Sequence, residues 1–464
     1  MTKKWAIGLI VLGSILVYYP TLLACLGSDD FIWLWFSADS SNLGHALTND
    51  LALSKLRLIV SAYFYLLYQV FHLQVFWYHL ASLGLHAFNS VLMYRILLRL
   101  TSDFRLSMVS ALIFATHFAL EESVFWVSAV SSLLVAGLGL ISLWLLLKYA
   151  EKGSKVLLGT SYFVFALALL SKEEAVLFPF IMIIILKLAK RERSMTYCLK
   201  LLAVPFILSA VYLALRLIVT KPALVSSVIQ LNPLAAISKL FYLVANLSFP
   251  VRWVQDSFPG WWQKMAELHH KGLIYPAASV ALAMVILILK LHRKVSKRTM
   301  AVGLIFLISS LVFMLFAGYG QRFVYVPALS FSVLAATALL NWSKKLGRHS
   351  LVWFTILVLG LNFAVIQKRG VYWRQAGKET EKVLSQMGGI LNNTPADAKI
   401  FFTDLPGVWH HVYMLHLGYP QVVLLFYPEQ SSKVTVVDTA SENLSWPENL
   451  TVYSYRNGMF ERVR

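Results

Sequence analysis

Long apolar runs separated by short polar ones make up most of this chain, and the length of the runs sets its reading. An α-helix rises 1.5 Å per residue, so about 20 residues cross the ~30 Å hydrocarbon layer of a bilayer. Runs at or near that length lie at 5–24, 76–98, 106–120, 127–148, 156–171, 175–189, 199–219, 273–291, 299–317, 324–341 and 350–366. They predict about eleven transmembrane helices. After 366 the pattern changes. A charged helical stretch reaches Met387 and breaks at Asn392-Asn393-Thr394-Pro395. Short alternating runs then follow at 399–403, 422–427, 433–437 and 450–455, separated by Pro, Gly and Ser, which read as strands. The expected fold is an all-α polytopic membrane protein over 1–375 with a small external α+β domain at 376–464. No period of 30–50 residues is present, which excludes a solenoid tail.

Two connecting segments exceed what a plain loop needs. Residues 25–75 carry Phe31-Ile32-Trp33-Leu34-Trp35-Phe36 and a Tyr- and Phe-rich stretch at 57–72. Residues 220–272 carry Trp253, Trp261 and Trp262 with Pro250 and Pro259. Aromatic rings favour the headgroup level, so both segments predict helices lying in the interface.

Composition agrees. The chain is 58% hydrophobic and only 14% charged, with a mean hydropathy of +0.68, whereas a soluble domain is about a quarter charged. A water-soluble globule, a disordered chain, a collagen and a disulfide scaffold are excluded. The two cysteines, Cys25 and Cys198, are predicted at opposite faces, so no bridge is expected. A net charge of +19 would suggest nucleic acid in a soluble protein. Here the basic residues gather in alternate loops: Lys3 and Lys4; Arg95, Arg99 and Arg105; Lys148, Lys152 and Lys155; Lys187 to Lys200; Lys290 to Arg298; Lys344 to Arg348. The other loops hold most of the acids, among them Asp29, Asp30, Asp39, Asp50, Glu121, Glu122, Glu173, Glu174, Asp256 and Glu267. The positive-inside rule then puts the amino terminus in the cytoplasm and the carboxyl terminus outside. Leu22-Leu23-Ala24-Cys25 has the outline of a lipoprotein cleavage box. Leu23 suits such a box poorly and ten more spans follow, so the first span is read as uncleaved.

Charges beside a bilayer are costly unless paired or used, which makes the outer ones informative. Asp29 and Asp30 follow the first span directly. Adjacent carboxylates repel, which raises one pKa and suits proton transfer; equally, Asp suits a helix cap ahead of Phe31. His79, Ser82, His86 and Asn89 share one face of the second span and either line a cavity or join helices by hydrogen bonds. No Cys/His cluster of zinc-ligand spacing accompanies them. His117, Glu121 and Glu122 form one outer turn, and Ser171-Lys172-Glu173-Glu174 another. Lys172 is either neutralised by a neighbouring Glu or a cation for phosphate. Arg322, among Gly320, Phe323 and Tyr325, is an isolated outer-face cation that either snorkels or binds phosphate. Arg57 and Arg252 are weaker candidates. Together these turns supply carboxylates and cations at one membrane face. Glycosyl transfer from a lipid-linked phosphosugar needs both: a carboxylate takes the acceptor proton, and cations stabilise the departing phosphate.

In these stretches the chain resembles the membrane-embedded glycosyltransferases of the GT-C superfamily. It is most similar to the branch that uses polyprenyl-phosphate sugars, which includes protein O-mannosyltransferases and transmembrane-tetratricopeptide proteins. The resemblance runs through Asp29-Asp30, His79 to Asn89 (H-x6-H-x2-N), His117 to Trp126, Ser171-Lys172-Glu173 with Pro179, and Arg322 to Pro327, over residues 1–375. It implies an extracytoplasmic active site beneath the first outer segment. One of Asp29 and Asp30 would be the catalytic acid. Glu121 or Glu122, with His79 and Glu173, would form a secondary acidic and polar set. Lys172, Arg322 and Arg57 would meet the lipid phosphate. The tetratricopeptide tail is absent, and Phe118 and Leu58 stand where relatives usually carry Pro.

The sequence thus predicts an inner-membrane glycosyltransferase with partners in the bilayer. It would move a sugar from a polyprenyl-phosphate donor to a glycan, lipid or protein acceptor, inverting the anomeric centre. No cofactor or metal is required by this chemistry, though a divalent cation at Asp29/Asp30 is compatible with it. The alternatives are a lipid-linked-sugar transporter or flippase, a glycan polymerase or ligase with a diphosphate donor, and a non-catalytic assembly subunit. A transporter favours acids at mid-membrane and inverted repeats, which this chain does not display.

Overall fold

The computed structural model describes residues 3–52, 56–189, 194–219, 233–258, 260, 297–315, 320–347, 349–395, 397–415, 419–434 and 450–463. The first apolar run forms α1 (Lys3–Tyr18), extended by a 3-10 turn at Tyr19–Leu23. The long segment after it folds into α2 (Asp29–Asp39), α3 (Leu43–Ala52) and α4 (Leu58–Phe71). There follow α5 (Val75–Thr101), α6 (Phe104–Thr116), the short α7 (Glu121–Phe125), α8 (Val130–Lys152), α9 (Lys155–Leu169), α10 (Phe178–Ala189) and α11 (Met195–Val219). The second long segment contributes α12 (Pro233–Ser248) and α13 (Val251–Ser257). Then come α14 (Lys297–Leu315), α15 (Tyr325–Leu346) and α16 (Ser350–Asn393). The span expected at 273–291, with Trp261 and Trp262, lies outside the described residues.

Among the described residues, five helical stretches are long and apolar enough to cross a membrane: Lys4–Leu23, Val127–Lys152, Met195–Val219, Gln321–Leu346 and Ser350–Asn393. Phe104–Thr116 and Phe118–Phe125, bent by 47°, make a sixth if taken together. Of the other expected spans, that at 299–317 is α14, whose continuation at 316–317 lies outside the described residues, while α5, α9 and α10 are helices too, but polar or short. α5 carries His79, His86 and Asn89 on its buried face, and α9 and α10 run 15 and 12 residues.

Local chemistry sets the helix limits. Asp103 caps α6 by accepting from the Leu106 amide at 3.0 Å. α8 stops at Gly153, whose φ of 70° and N–H to Tyr149 O (2.8 Å) close the last turn. Lys344 and Lys345 occupy the last turn of α15, where cations suit the helix dipole. α8 and α10 touch where only glycine fits: a Cβ on Gly139 would lie 2.1 Å from the Phe178 ring.

The 44 residues of α16 span about 66 Å at 1.5 Å per residue, over twice the hydrocarbon layer. The helix therefore runs unbroken through the boundary drawn at 375/376. Its second half buries Trp373, Ala376, Thr380, Val383, Met387 and Leu391 at helical spacing. That face carries the carboxyl-terminal strands. β1 (Lys399–Thr403) pairs parallel with β4 (Leu450–Arg456), which pairs antiparallel with β5 (Met459–Arg462). β2 (Val408–Trp409) and β3 (Val412–Tyr413) form a hairpin. Tyr427 Oη donates to Leu384 O at 2.6 Å and Gln386 Nε2 to Gly458 O at 3.0 Å, tying this region to α16. Ile400, Phe402, Val412 and Val422 belong to the same apolar core as Leu26 and Phe31.

The strand expected at 422–427 is instead α17 (Tyr419–Phe426). A short apolar run fits either state; Pro420 in the first turn favours helix, and the helix packs on α2, with Phe426 6.2 Å from Phe31. The run at 433–437 begins in a 3-10 turn (Pro428–Lys433) and gives one parallel bridge, Val434 to Ile400. Residues 435–437 lie outside the described residues.

Candidate functional site

Asp29 and Asp30 open α2, just after Ser28 turns the chain with a φ of 52°. The two carboxylates differ. Asp30 is fully buried and accepts from Gly27 N (2.9 Å), from Ser128 N (2.7 Å) and from the Ser128 hydroxyl. Burial pushes its carboxyl up to about 7, against the lowering effect of the Ser128 hydroxyl and the Gly27 and Ser128 amides. Asp29 is half-buried, with Ser28 Oγ donating to it at 3.4 Å. Of the pair, only Asp29 is partly exposed.

Around them the acid-bearing turns converge. Trp126 Nε1 donates to Gly27 O at 3.1 Å, holding the 126–128 turn against the Asp29–Asp30 turn. The Tyr413 ring packs against Trp126 at 5.0 Å, and the Tyr413 carbonyl lies so close to Gly27 that a Cβ there would come within 2.0 Å. Ser28 N donates to Met414 O at 2.5 Å. The β2–β3 hairpin thus closes one side of the site. On another side the Arg322 guanidinium lies 4.9 Å from the Trp126 ring centroid and within electrostatic reach of Asp29.

Arg322 sits in a 3-10 turn (Gln321–Val324) between α14 and α15. Its Nη1 donates to Glu122 Oε1 at 2.7 Å, its side chain is 30% exposed, and its carbonyl accepts from Ser132 Oγ at 2.9 Å. Lys172 Nζ donates to that same Ser132 hydroxyl at 2.8 Å and lies 4.5 Å from the Phe323 ring centroid. Asp29, Asp30, Trp126, Glu122, Arg322, Ser132 and Lys172 therefore form one connected cluster, drawn from segments up to 293 positions apart in sequence, 322 minus 29.

The cations expected to await a phosphate already have carboxylate partners. Lys172 pairs with Glu174 at 2.8 Å; both are buried, and burial pushes the lysine down and the glutamate up. Arg57 Nη2 donates to both oxygens of Glu173 at 3.0 Å, with Arg216 at 3.8 Å. Burial acts to raise Glu173, but Arg57, Arg216 and Lys172 outweigh it and leave the carboxyl at about 2. Glu122 is shared by Arg322, Arg252 and the Gln321 amide (2.9 Å). Arg322 alone of Lys172, Arg322 and Arg57 combines partial exposure with an electrostatic effect of Asp29 on it.

Glu121 hydrogen-bonds to a different set of partners, although Arg252, the partner of Glu122, also acts on it electrostatically. It binds Arg369 Nε at 2.8 Å and Trp373 Nε1 at 2.6 Å. Arg369 in turn donates to Asp256 (2.6 Å) and to His410 O (2.9 Å), while Tyr372 stacks on His410 at 4.3 Å. The role of Glu121 is to anchor α16, α13 and the hairpin. His79 is fully buried with Nδ1 3.3 Å from Thr21 Oγ1, and it braces the 3-10 turn that leads to Asp29. His86 and Asn89 meet Tyr325 Oη at 2.9 and 3.2 Å, joining α5 to α15.

Sequence reasoning missed Arg369 and gave Arg252 little weight, although both follow the rule that exposed Lys172 and Arg322: a cation on the acidic side of the chain. It also missed Ser128, Ser132 and Tyr413, whose residue types carry no signal until the turns are assembled. Among the described residues, no group of three or more His, Cys, Asp or Glu side chains is placed to hold a metal ion. No protein-family model and no curated protein matches the chain.

Proposed function

We propose that this protein is a membrane glycosyltransferase of the GT-C type, moving one sugar from a polyprenyl-phosphate donor to an extracytoplasmic acceptor. The observation that carries the reading is a half-buried Asp29 and a partly exposed Arg322 within electrostatic reach of each other, with Trp126 beneath the guanidinium and hydrogen-bonded to Gly27 in the turn that leads to Asp29. Asp29 takes the proton from an acceptor hydroxyl as its oxygen bonds to the anomeric carbon. The bond from that carbon to the phosphate oxygen breaks, and the electron pair leaves with the polyprenyl phosphate, whose charge Arg322 stabilises. One-step displacement inverts the anomeric centre. Asp30, buried and three times hydrogen-bonded, positions the turn. Lys172, Arg57, Glu173 and Glu122 set the local field through their ion pairs.

The topology supports the same reading. The basic loops belong to the cytoplasmic side of an inner membrane, and the Asp29 cluster to the other, where lipid-linked sugars meet their acceptors. A gathering of acids at one end of the bundle fits surface chemistry better than the mid-membrane sites of transporters. The test is incubation of the purified protein with a polyprenyl-phosphate hexose labelled in the sugar, together with isolated cell-envelope acceptors. Label appearing on an acceptor with inverted configuration supports transfer. Movement of intact donor between leaflets without transfer would replace this reading with a flippase.

A further inference from the structure

A half-open cavity of about 250 Å³ lies among α5, α6, α8, α10, α14 and α15, and none of the Asp29-cluster residues lines it. Its lining starts at the basic end of the bundle with Thr101, Asp103 and Arg298 and stops at Phe178 and Val326. Along α14 it extends from Arg298 to Ser309, about 16 Å at 1.5 Å per residue. That is about half the thickness of the ~30 Å hydrocarbon layer, a length that suits an acyl chain.

The wall is hydrocarbon. Four of its hydroxyls are turned back onto their own helices: Thr101 Oγ1 donates to Leu97 O at 2.8 Å, Ser309 Oγ to Phe306 O at 2.9 Å, Ser330 Oγ to Pro327 O at 3.0 Å and Thr337 Oγ1 to Val333 O at 2.7 Å. Asp103, the carboxylate in the lining, is committed to capping α6. Such a space rejects sugars and holds water poorly. At its mouth Arg298 is exposed and makes no ion pair among the described residues, with the exposed Lys297 beside it. Arg95, Arg99, Arg105, Lys148 and Lys152 belong to the same basic end. Depth, wall and charge at the mouth converge on one ligand chemistry.

We propose that this cavity seats an acyl chain of an anionic phospholipid from the leaflet at the basic end, with Arg298 on the lipid phosphate. The site is independent of the sugar-transfer reading. It would act as a structural clamp, filling the gap that α14 and α15 leave against α5 and α10.

The test compares melting of the full chain in phosphatidylcholine nanodiscs with melting in discs doped with phosphatidylglycerol, alongside native mass spectrometry of lipid retained from the membrane. Wild type should retain an anionic phospholipid and melt several degrees higher in the doped discs. Val333→Trp, which fills the cavity, should abolish both effects. Arg298→Ala, at an exposed position that leaves the core untouched, should lower retention about five-fold, as expected for one juxtamembrane cation. Equal melting of wild type in both discs with no phospholipid retained would overturn the proposal. So would retention unchanged in Val333→Trp, or a polyprenyl phosphate as the species that this substitution displaces. Absence of sugar transfer would leave it standing.

Discussion

The guanidinium of Arg322 lies over the indole of Trp126, 4.9 Å from the ring centroid. Trp126 at the same time donates to Gly27, so one side chain holds both the cation and the turn that carries the carboxylates. Trp126→Phe keeps a ring beneath Arg322 but loses the indole donor and part of the buried ring. It should cost roughly 1–3 kcal/mol, the value for leaving a buried partner unsatisfied. Trp126→Ala loses the packing too and should cost roughly 3–5 kcal/mol. Urea or thermal unfolding in detergent checks both values.

Glu122 is buried between two guanidinium groups. Glu122→Gln leaves both short of a counter-charge and should destabilise by roughly 3–5 kcal/mol, as breaking a buried pair does. The Arg99–Glu151 pair gives the contrast, since those side chains are 22% and 48% exposed. Glu151→Gln should cost no more than about 1 kcal/mol. Melting curves of the two variants, run side by side, test whether burial decides.

Asp30 predicts a pH dependence with a definite sign. Its carboxyl is raised to about 7 in the folded chain, against about 4 when unfolded. Folding therefore favours the protonated form. The stability linked to this group is fully present below about pH 4, is lost as pH rises towards 7, and stays lost above. Asp30→Asn removes the titration. The wild-type melting temperature minus that of the variant should fall between pH 4 and pH 7, and a difference that rises over that interval contradicts the assignment.

Lys172 and Glu174 are buried together. Lys172→Met alone strands the glutamate and should destabilise by roughly 3–5 kcal/mol. Adding Glu174→Gln should restore most of the loss, since a neutral pair needs no counter-charge. A double-mutant cycle on thermal stability measures the coupling.

The helical segments were legible because a hydrocarbon layer demands runs of a given length, and the chain supplies them. The end of α16 was not. Its apolar run stops at 366, but Trp373, Thr380, Val383, Met387 and Leu391 continue as one face that packs on the carboxyl-terminal strands. The helix persists until Thr394 and Pro395. The acids and cations of the acid-bearing turns were legible as types, since charge at a bilayer is costly. Their pairing was not, because spacing along the chain does not tell whether Arg322 reaches Asp29 or Glu122. It reaches Glu122 with Nη1 and lies within electrostatic reach of Asp29. Nor could adjacency separate Asp29 from Asp30. That distinction comes from Ser128, which arrives in α2's first turn only when the chain folds.

The central claim is that Asp29 is the proton acceptor and Asp30 its scaffold. The most direct measurement is the initial rate of sugar transfer from labelled polyprenyl-phosphate hexose by wild type, Asp29→Asn and Asp30→Asn, each at matched folded concentration. The account predicts that Asp29→Asn melts like wild type and is slower by about 10²–10⁴-fold. Asp30→Asn should lose stability and retain a larger share of the rate per folded molecule. Wild-type turnover by a folded Asp29→Asn protein would contradict it.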